Sequence, residues 1–234
     1  MRQIVLDTET TGLSPQAGHR IIEIGAVELI NRRLTGRQFH YYLHPDREID
    51  YGAQKVHGIT LEFLADKPRF HEITDAFLEF IRDAELIIHN ATFDTAFINA
   101  ELTRVSKKLG AIEDYAQILD TLPLARKKHP GQKNSLDALV KRYEVEHFAR
   151  DLHGALLDAQ ILAQVYLAMT GGQADLSFEM ASAPDTRGES LTPTQNASDY
   201  TVIYADAEEL IAHEQLLKKI KKEAQHGQCL WLQE

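Results

Sequence analysis

Ile4-Val5-Leu6-Asp7-Thr8-Glu9-Thr10-Thr11-Gly12 is an apolar run that turns acidic and then reaches glycine. The apolar run predicts a buried strand, and the polar end with its glycine predicts the turn that closes it. Strand side chains alternate, so Asp7 and Glu9 project from one face at the strand's carboxyl end. Two neighbouring carboxylates repel and raise each other's pKa unless a cation lies between them. A hard, oxygen-seeking ion such as Mg²⁺ or Mn²⁺ suits that position. An isolated Asp-x-Glu is more often a solvated strand end, so the weight rests on what accompanies it.

Two further motifs accompany it. Leu86-Ile87-Ile88-His89-Asn90-Ala91-Thr92-Phe93-Asp94 again delivers polar groups at the end of an apolar strand. Asp94 then opens an amphipathic stretch with Phe93, Phe97, Ile98 and Leu102 on one side; taken alone, Asp94 reads as a helix N-cap. The third motif, His153-Gly154-Ala155-Leu156-Leu157-Asp158, leads into a helical run from Ala159 to Met169. Residues five apart lie about 140° apart around a helix, so His153 and Asp158 cannot converge from mid-helix positions. His153 is therefore expected in the loop before the helix, with Gly154 permitting the bend.

Four carboxylates and one histidine, in this order and at strand or helix ends, resemble the DEDD exonuclease superfamily of ribonuclease H-like fold. The histidine-containing branch fits, because Gly154 stands where the other branch carries tyrosine, four residues before the last Asp. The sequence is similar, more closely, to the proofreading (epsilon-subunit) family of bacterial DNA polymerase III. That likeness extends through Asn31-Arg-Arg-Leu-Thr-Gly36, Val56-His57-Gly58-Ile59, Asn134-Ser-Leu-Asp-Ala-Leu139 and Tyr166-Leu-Ala-Met-Thr-Gly-Gly172, and resumes at Cys229-Leu-Trp231.

The resemblance implies a two-metal 3′–5′ exonuclease that releases 5′-mononucleotides from a DNA 3′ end. Asp7 would bridge two Mg²⁺ or Mn²⁺ ions, Glu9 and Asp158 would complete one site, and Asp94 would hold the second ion. Ions about 4 Å apart activate the attacking water and stabilise the leaving 3′ oxygen. His153 would accept the water's proton, and an imidazole of ordinary basicity is protonated below about pH 6, where hydrolysis should fail. Leu13, Val56, His57 and Phe93, with Thr8, Glu9, Asn90, His153 and Asp158, are the expected substrate contacts, since single-strand binders stack bases on apolar and aromatic platforms. A mispaired end frays at lower cost, which would make such a nuclease a proofreader.

Composition bounds these readings. A chain of 234 residues, 44% hydrophobic, can bury one sizeable core. Met1-Arg2-Gln3 runs straight into a strand, leaving no signal peptide, and no apolar run approaches membrane-spanning length. The single cysteine, Cys229, excludes an internal disulfide and fits a reducing cytoplasm. A net charge of −10 argues against tight duplex binding but not against a site where bound metal reverses the local sign.

Periodicity predicts strands at 2–9, 20–30 and 36–44, the last two joined by a turn through 31–36, giving an antiparallel meander. Helices are expected at 71–82, 94–109, from Asn134-Ser135 to Tyr143, and after Gly154, with strands at 85–89 and 117–121. The result is an α/β fold, a mixed sheet flanked by helices, over residues 1–172. Residues 179–200 are rich in Ser, Thr, Pro, Ala and Gly and read as a flexible linker. In 201–234, Thr201–Tyr204 could form a short strand, and Asp206 with Glu209 forms a capping-box pattern before a helix with Leu210, Leu217, Ile220 and Ala224 on one face.

The resemblance makes 201–234 a docking segment for the polymerase alpha subunit, and Gln173-Ala-Asp-Leu-Ser-Phe178 a sliding-clamp peptide anchored by Gln173, Leu176 and Phe178. A small theta-like accessory subunit is a further expected partner. Two rival readings are an RNA-trimming member of the superfamily, which would not need this tail, and a noncatalytic tether, which would not need four clustered carboxylates.

Overall fold

The computed structural model describes residues 1–145, 153–171 and 205–223. The chain divides into two units, Met1–Ser177 and Phe178–Glu234.

In the first unit, β1 (Arg2–Thr10), β2 (Ile21–Ile30) and β3 (Arg33–Tyr42) form the antiparallel meander, and β4 (Glu85–Ile88) and β5 (Gln117–Asp120) extend it in parallel to β1. The sheet order is β3-β2-β1-β4-β5, which puts β1 in the centre. Helices α1 (Tyr51–His57), α2 (Leu61–Leu64), α3 (Phe70–Ile81) and α4 (Ala91–Val105) are followed by α5 (Thr121–Lys128), α6 (Leu136–Arg142) and α7 (Ala155–Gly171).

Alternation along β1 feeds two cores. Ile4 and Leu6 join Ile24, Leu86 and Ile88 against Phe77, Ile81, Phe97 and Leu102 of α3 and α4. Val5 faces the other way and joins Val27, Leu29 and Ile87 against Leu162, Ala163 and Tyr166 of α7. Each such large side chain, fully buried, contributes roughly 1.5–3 kcal/mol. With both faces covered, Ile4, Val5 and Leu6 are all fully buried, and the continuous apolar run follows.

The second hairpin turns more tightly than the sequence suggested. Asn31 and Arg32 both take positive φ, 49° and 65°, so a two-residue turn suffices and β3 starts at Arg33, not 36. Gly36, at φ +83°, lies where the β2–β3 register shifts, and the bulge absorbs the extra residues. The helix expected at 94–109 runs instead over Ala91–Val105, because Asn90 in the left-handed region starts it early. Ser106 is extended and its hydroxyl caps a separate turn, Lys107–Leu109. Three further elements lacked a clear periodic signal: α1, α2 and α5, the last capped by the Asp120 carboxylate accepting from the Leu122 N–H.

Gly25 of β2 is where α7 approaches the sheet. A Cβ there would strike the backbone of Ala155 and Leu156, so only glycine lets the start of α7 lie against the strand.

In the second unit, α8 (Ala207–Glu223) begins with reciprocal bonds, Asp206 N–H to Glu209 Oε2 at 3.0 Å and Glu209 N–H to Asp206 Oδ1 at 2.9 Å. The expected linker, the strand at 201–204 and the peptide with Gln173, Leu176 and Phe178 lie outside the described residues, as do the side chains of Ile220 and Ala224. Among the described residues no helix is long and apolar enough to cross a membrane.

Candidate active site

The carboxyl ends of β1, β4 and β5 share one edge of the sheet because the three strands are parallel. Asp7 and Glu9 stand near the end of β1 on the face toward α7, opposite Gly25 and Glu23 of β2. His153 and Gly154 precede α7 as irregular backbone, and Asp158 lies in its first turn. The close approach that Gly25 permits brings that turn to the strand. His153 Nδ1 lies 3.2 Å from Asp158 Oδ2, and ligand atoms of Glu9, His153 and Asp158 all fall within 4.8 Å of one another. This donor set, two carboxylates and an imidazole with Asp7 on the same strand face, fits a hard divalent ion.

Asp94 occupies the first turn of α4, on the other side of β1. It is 4% exposed, and the Thr8 hydroxyl donates to its Oδ1 at 2.7 Å. Burial pushes its pKa up to about 7; the Thr8 hydroxyl and the N–H groups of Asp94 and Thr8 act against the rise, and the nearby Asp120 adds to it. Thr8 thus points away from Glu9 and is committed to Asp94. Asp94 and Asp7 lie outside the group formed by Glu9, His153 and Asp158.

A half-open, largely apolar cleft of about 470 Å³ adjoins Glu9, walled by Leu13, Val56, His57 and Phe93. Leu13 is 86% exposed and Val56 48%, an unusual exposure for large apolar groups beside carboxylates. Phe93 is half-buried and packs on Phe97 at a ring separation of 4.9 Å. Val56 also fixes His153, whose backbone N–H donates to the Val56 carbonyl at 3.2 Å. His57 Nδ1 accepts from the Ile59 N–H at 3.0 Å, which puts the ring proton of the neutral imidazole on Nε2. Burial lowers the His57 pKa; the Thr10 backbone opposes that shift and the nearby His153 adds to it. Asn90 is exposed, and its backbone N–H donates to Asp120 Oδ1 at 3.0 Å. A larger groove of about 760 Å³ between β3 and α3 lies at the Arg2 end of β1, away from this chemistry. Its Arg2 and Arg37 are already paired with Glu28.

Sequence reasoning missed three carboxylates at this edge. Asp120 ends an apolar strand just as Asp7 and Asp94 follow theirs, and that shared pattern could have found it. Glu23, buried opposite Glu9 and 2.8 Å from His40 Nε2, was hidden within a predominantly apolar strand. Asp50 lines the cleft and lies 3.4 Å from His19 Nε2. Nothing in the local sequence ties it to Glu9.

The mixed sheet with acidic side chains at one edge is that of an exonuclease domain: the exonuclease family model matches residues 4–166, which carry it. The chain belongs to the family of DNA polymerase III epsilon subunits, and it is a DNA exonuclease. It is 52% identical over 237 residues to DNA polymerase III subunit epsilon of Salmonella typhimurium, covering 98% of this chain and 97% of the relative. The Escherichia coli K12 protein of the same name is 51% identical over the same span, and that of Rickettsia felis 46% over 226 residues. Exonuclease X in complex with 5′ overhanging duplex DNA superposes with a TM-score of 0.56 at 29% identity, covering 72% of this chain and 91% of that one. Exonuclease I, at a TM-score of 0.62 and 17% identity over 73% of this chain and 42% of its own length, shares the fold.

Proposed function

We propose that this 3′–5′ proofreading exonuclease hydrolyses the terminal phosphodiester of DNA with two divalent ions, Mg²⁺ or Mn²⁺, held by Asp7, Glu9, Asp94 and Asp158. The observation that carries this reading is the convergence of Glu9, His153 and Asp158 beside the Asp7 face of β1. Bound metal would supply a polarised water and charge neutralisation at the phosphate. His153, oriented by Asp158 and by its own N–H bond to Val56, takes the proton of the attacking water. Asp94 stays neutral for part of the time near pH 7 unless positive charge draws it into the ionised form.

Leu13, Val56, His57 and Phe93 receive the terminal base in the cleft, whose lining Glu9 and Thr8 complete; Asn90, exposed just past the end of β4, is a further substrate contact. Base stacking on such a surface is tolerant of sequence, so selection falls on the ease with which the 3′ end unpairs. The partnership with DNA polymerase III runs through 201–234 to the alpha subunit, and through Gln173, Leu176 and Phe178 to the sliding clamp. A theta-like subunit would bind the nuclease unit. All of this belongs in the bacterial cytoplasm, at the replisome.

The test is release of mononucleotides from a 3′-mispaired and a fully paired primer, in Mg²⁺ and in EDTA, beside the Asp7→Ala chain. Metal-dependent release, faster from the mispaired end and lost in the variant, supports the reading. No release from either primer with robust trimming of short RNA would overturn the substrate; inactivity on both would overturn the chemistry.

A further inference from the structure

Between residues 126 and 142 this acidic chain carries six cations, Arg126, Lys127, Lys128, Lys133, Lys141 and Arg142, against one carboxylate, Asp137. Cations in the last turn of a helix suit its dipole, which accounts for Arg126, Lys127 and Lys128 on α5. It does not account for Lys133, which lies beyond the helix, nor for where the group is placed.

The placement is at the rim of the active site. α5 starts from Asp120, whose charge bears on Asp94, and the Thr121 hydroxyl is 2.9 Å from His89 Nδ1. Eight helical residues span about 12 Å, and Arg126, Lys127 and Lys128 stand together in the last turn, at the end of α5 away from Asp120. The following loop then returns: the Asn134 backbone reaches His89, and Arg126 is near enough to bear on the same ring.

That loop is built rather than slack. Asn134 is 8% exposed and donates to the carbonyls of His129 and Gln132 at 3.2 and 3.0 Å. Arg142 donates to Asn134 Oδ1 at 3.1 Å and to the Lys133 carbonyl at 2.8 Å, and Gly131 takes the left-handed turn at φ +73°. Arg142 is therefore committed to the scaffold. Arg126, Lys127, Lys128 and Lys133 are exposed, and among the described residues none of them forms an ion pair. Like charges held together without partners repel one another, and a polyanion relieves that cost.

We propose that Arg126, Lys127, Lys128 and Lys133 form a phosphate track for the DNA strand whose 3′ end enters the site. This rests on the proposed DNA-hydrolysing function and assigns the surface that holds the substrate upstream of the scissile bond. Four exposed cations can neutralise up to four phosphates of the strand. The track reads no bases, in keeping with a proofreader that accepts any sequence.

The full chain with R126Q/K127Q/K128Q/K133Q tests it. Binding of a fluorescein-labelled twelve-nucleotide single strand, read by anisotropy in EDTA, should weaken about tenfold at low salt. The slope of log K against log salt should flatten by about two, at roughly 0.7 for each phosphate the variant no longer neutralises. KM for mononucleotide release should rise with kcat unchanged, and hydrolysis of the 4-nitrophenyl ester of thymidine 5′-phosphate should match the parent. The comparison is K107Q/K108Q, two exposed lysines past the far end of α4 from Asp94, which should change none of these. An unaltered affinity and salt slope in the quadruple variant, or an equal loss in the comparison, overturns the track. If the parent binds the strand yet hydrolyses neither substrate, the proposed function fails, and the anisotropy comparison alone decides the track.

Discussion

Replacing Asp94 by asparagine should stabilise the metal-free protein at neutral pH and leave it unchanged in acid. The Asp94 carboxyl is buried, and its pKa lies at about 7 against an ordinary 3.8. An acid whose folded pKa is raised contributes its full stability below the unfolded pKa, and loses it as pH rises toward the folded one. The window is therefore from about pH 4 to about pH 7. A difference of about three units corresponds to about 4 kcal/mol at 1.36 kcal/mol per unit. Asparagine retains the shape and a neutral acceptor for the Thr8 hydroxyl, and the raised pKa already includes that hydroxyl's bond to the ionised carboxyl. The gain is therefore about 4 kcal/mol above pH 7, or roughly 8–16 °C in Tm for a unit of this size. Thermal unfolding of both chains in EDTA between pH 4.5 and 8.5 measures it, and the difference between the chains cancels the titrating groups that do not sense the Asp94 charge. Millimolar Mg²⁺ should then raise the parent's Tm more than the variant's, because only the parent gains an ionised ligand. Equal Tm differences at both ends of the pH range, or a variant less stable throughout, would refute the burial argument.

Three other perturbations have definite outcomes. Gly25→Ala should displace the start of α7, costing about 1–3 kcal/mol by overpacking and at least tenfold in kcat, with far-ultraviolet circular dichroism unchanged; a fully active variant would mean that α7 tolerates the shift. His153→Ala should lower kcat by about 10²–10⁴ while oligonucleotide affinity measured in EDTA stays the same; a change in affinity alone would make His153 a binding group. Leu13→Ala with Val56→Ala should raise KM for single-stranded DNA by about tenfold or more, from roughly 1–3 kcal/mol of stacking per base, and an unchanged KM would take the cleft out of base binding.

The sheet was legible where one physical pattern governed the chain. Ile4-Val5-Leu6 reads as a strand covered on both faces because alternate side chains enter two cores, one under α3 and α4 and one under α7. His153 could be placed ahead of α7 by the geometry of five residues alone, and the structure has it there. What escaped depended on neighbours distant in sequence or on single backbone conformations. Asn90 starts α4 three residues before Asp94 by adopting φ +64°, which periodicity does not report. Asn31 and Arg32 close the hairpin without glycine, so Gly36 is a misleading marker of the turn. Asp50 joins the cleft because α1 is tied to the end of β1, through the Asp50 N–H to the Thr11 carbonyl at 2.9 Å. Helix α1 itself, seven residues with only His57 buried, carries too little apolar periodicity to be read.

The placement of Asp94 also shows how a carboxylate at a helix start can be kept conditionally ionised. The first turn of α4 offers backbone N–H groups and the positive end of the helix dipole, both of which favour a carboxylate. Burial nevertheless outweighs them, together with the Thr8 bond, by about three units. A surface carboxylate in the same turn would be ionised at all physiological pH and would contribute nothing that depends on a bound cation. Burying it makes the ionised form conditional on positive charge arriving at the edge of the sheet. Glu9 and Asp158 gather with His153 on the α7 side of β1, whereas Asp94 lies on the other side, tied to the Asp7-Thr8-Glu9 segment through the Thr8 hydroxyl. The strand that carries the acidic pair thus also carries the link between the two sides, because Thr8 stands between Asp7 and Glu9 and alternation turns it the other way.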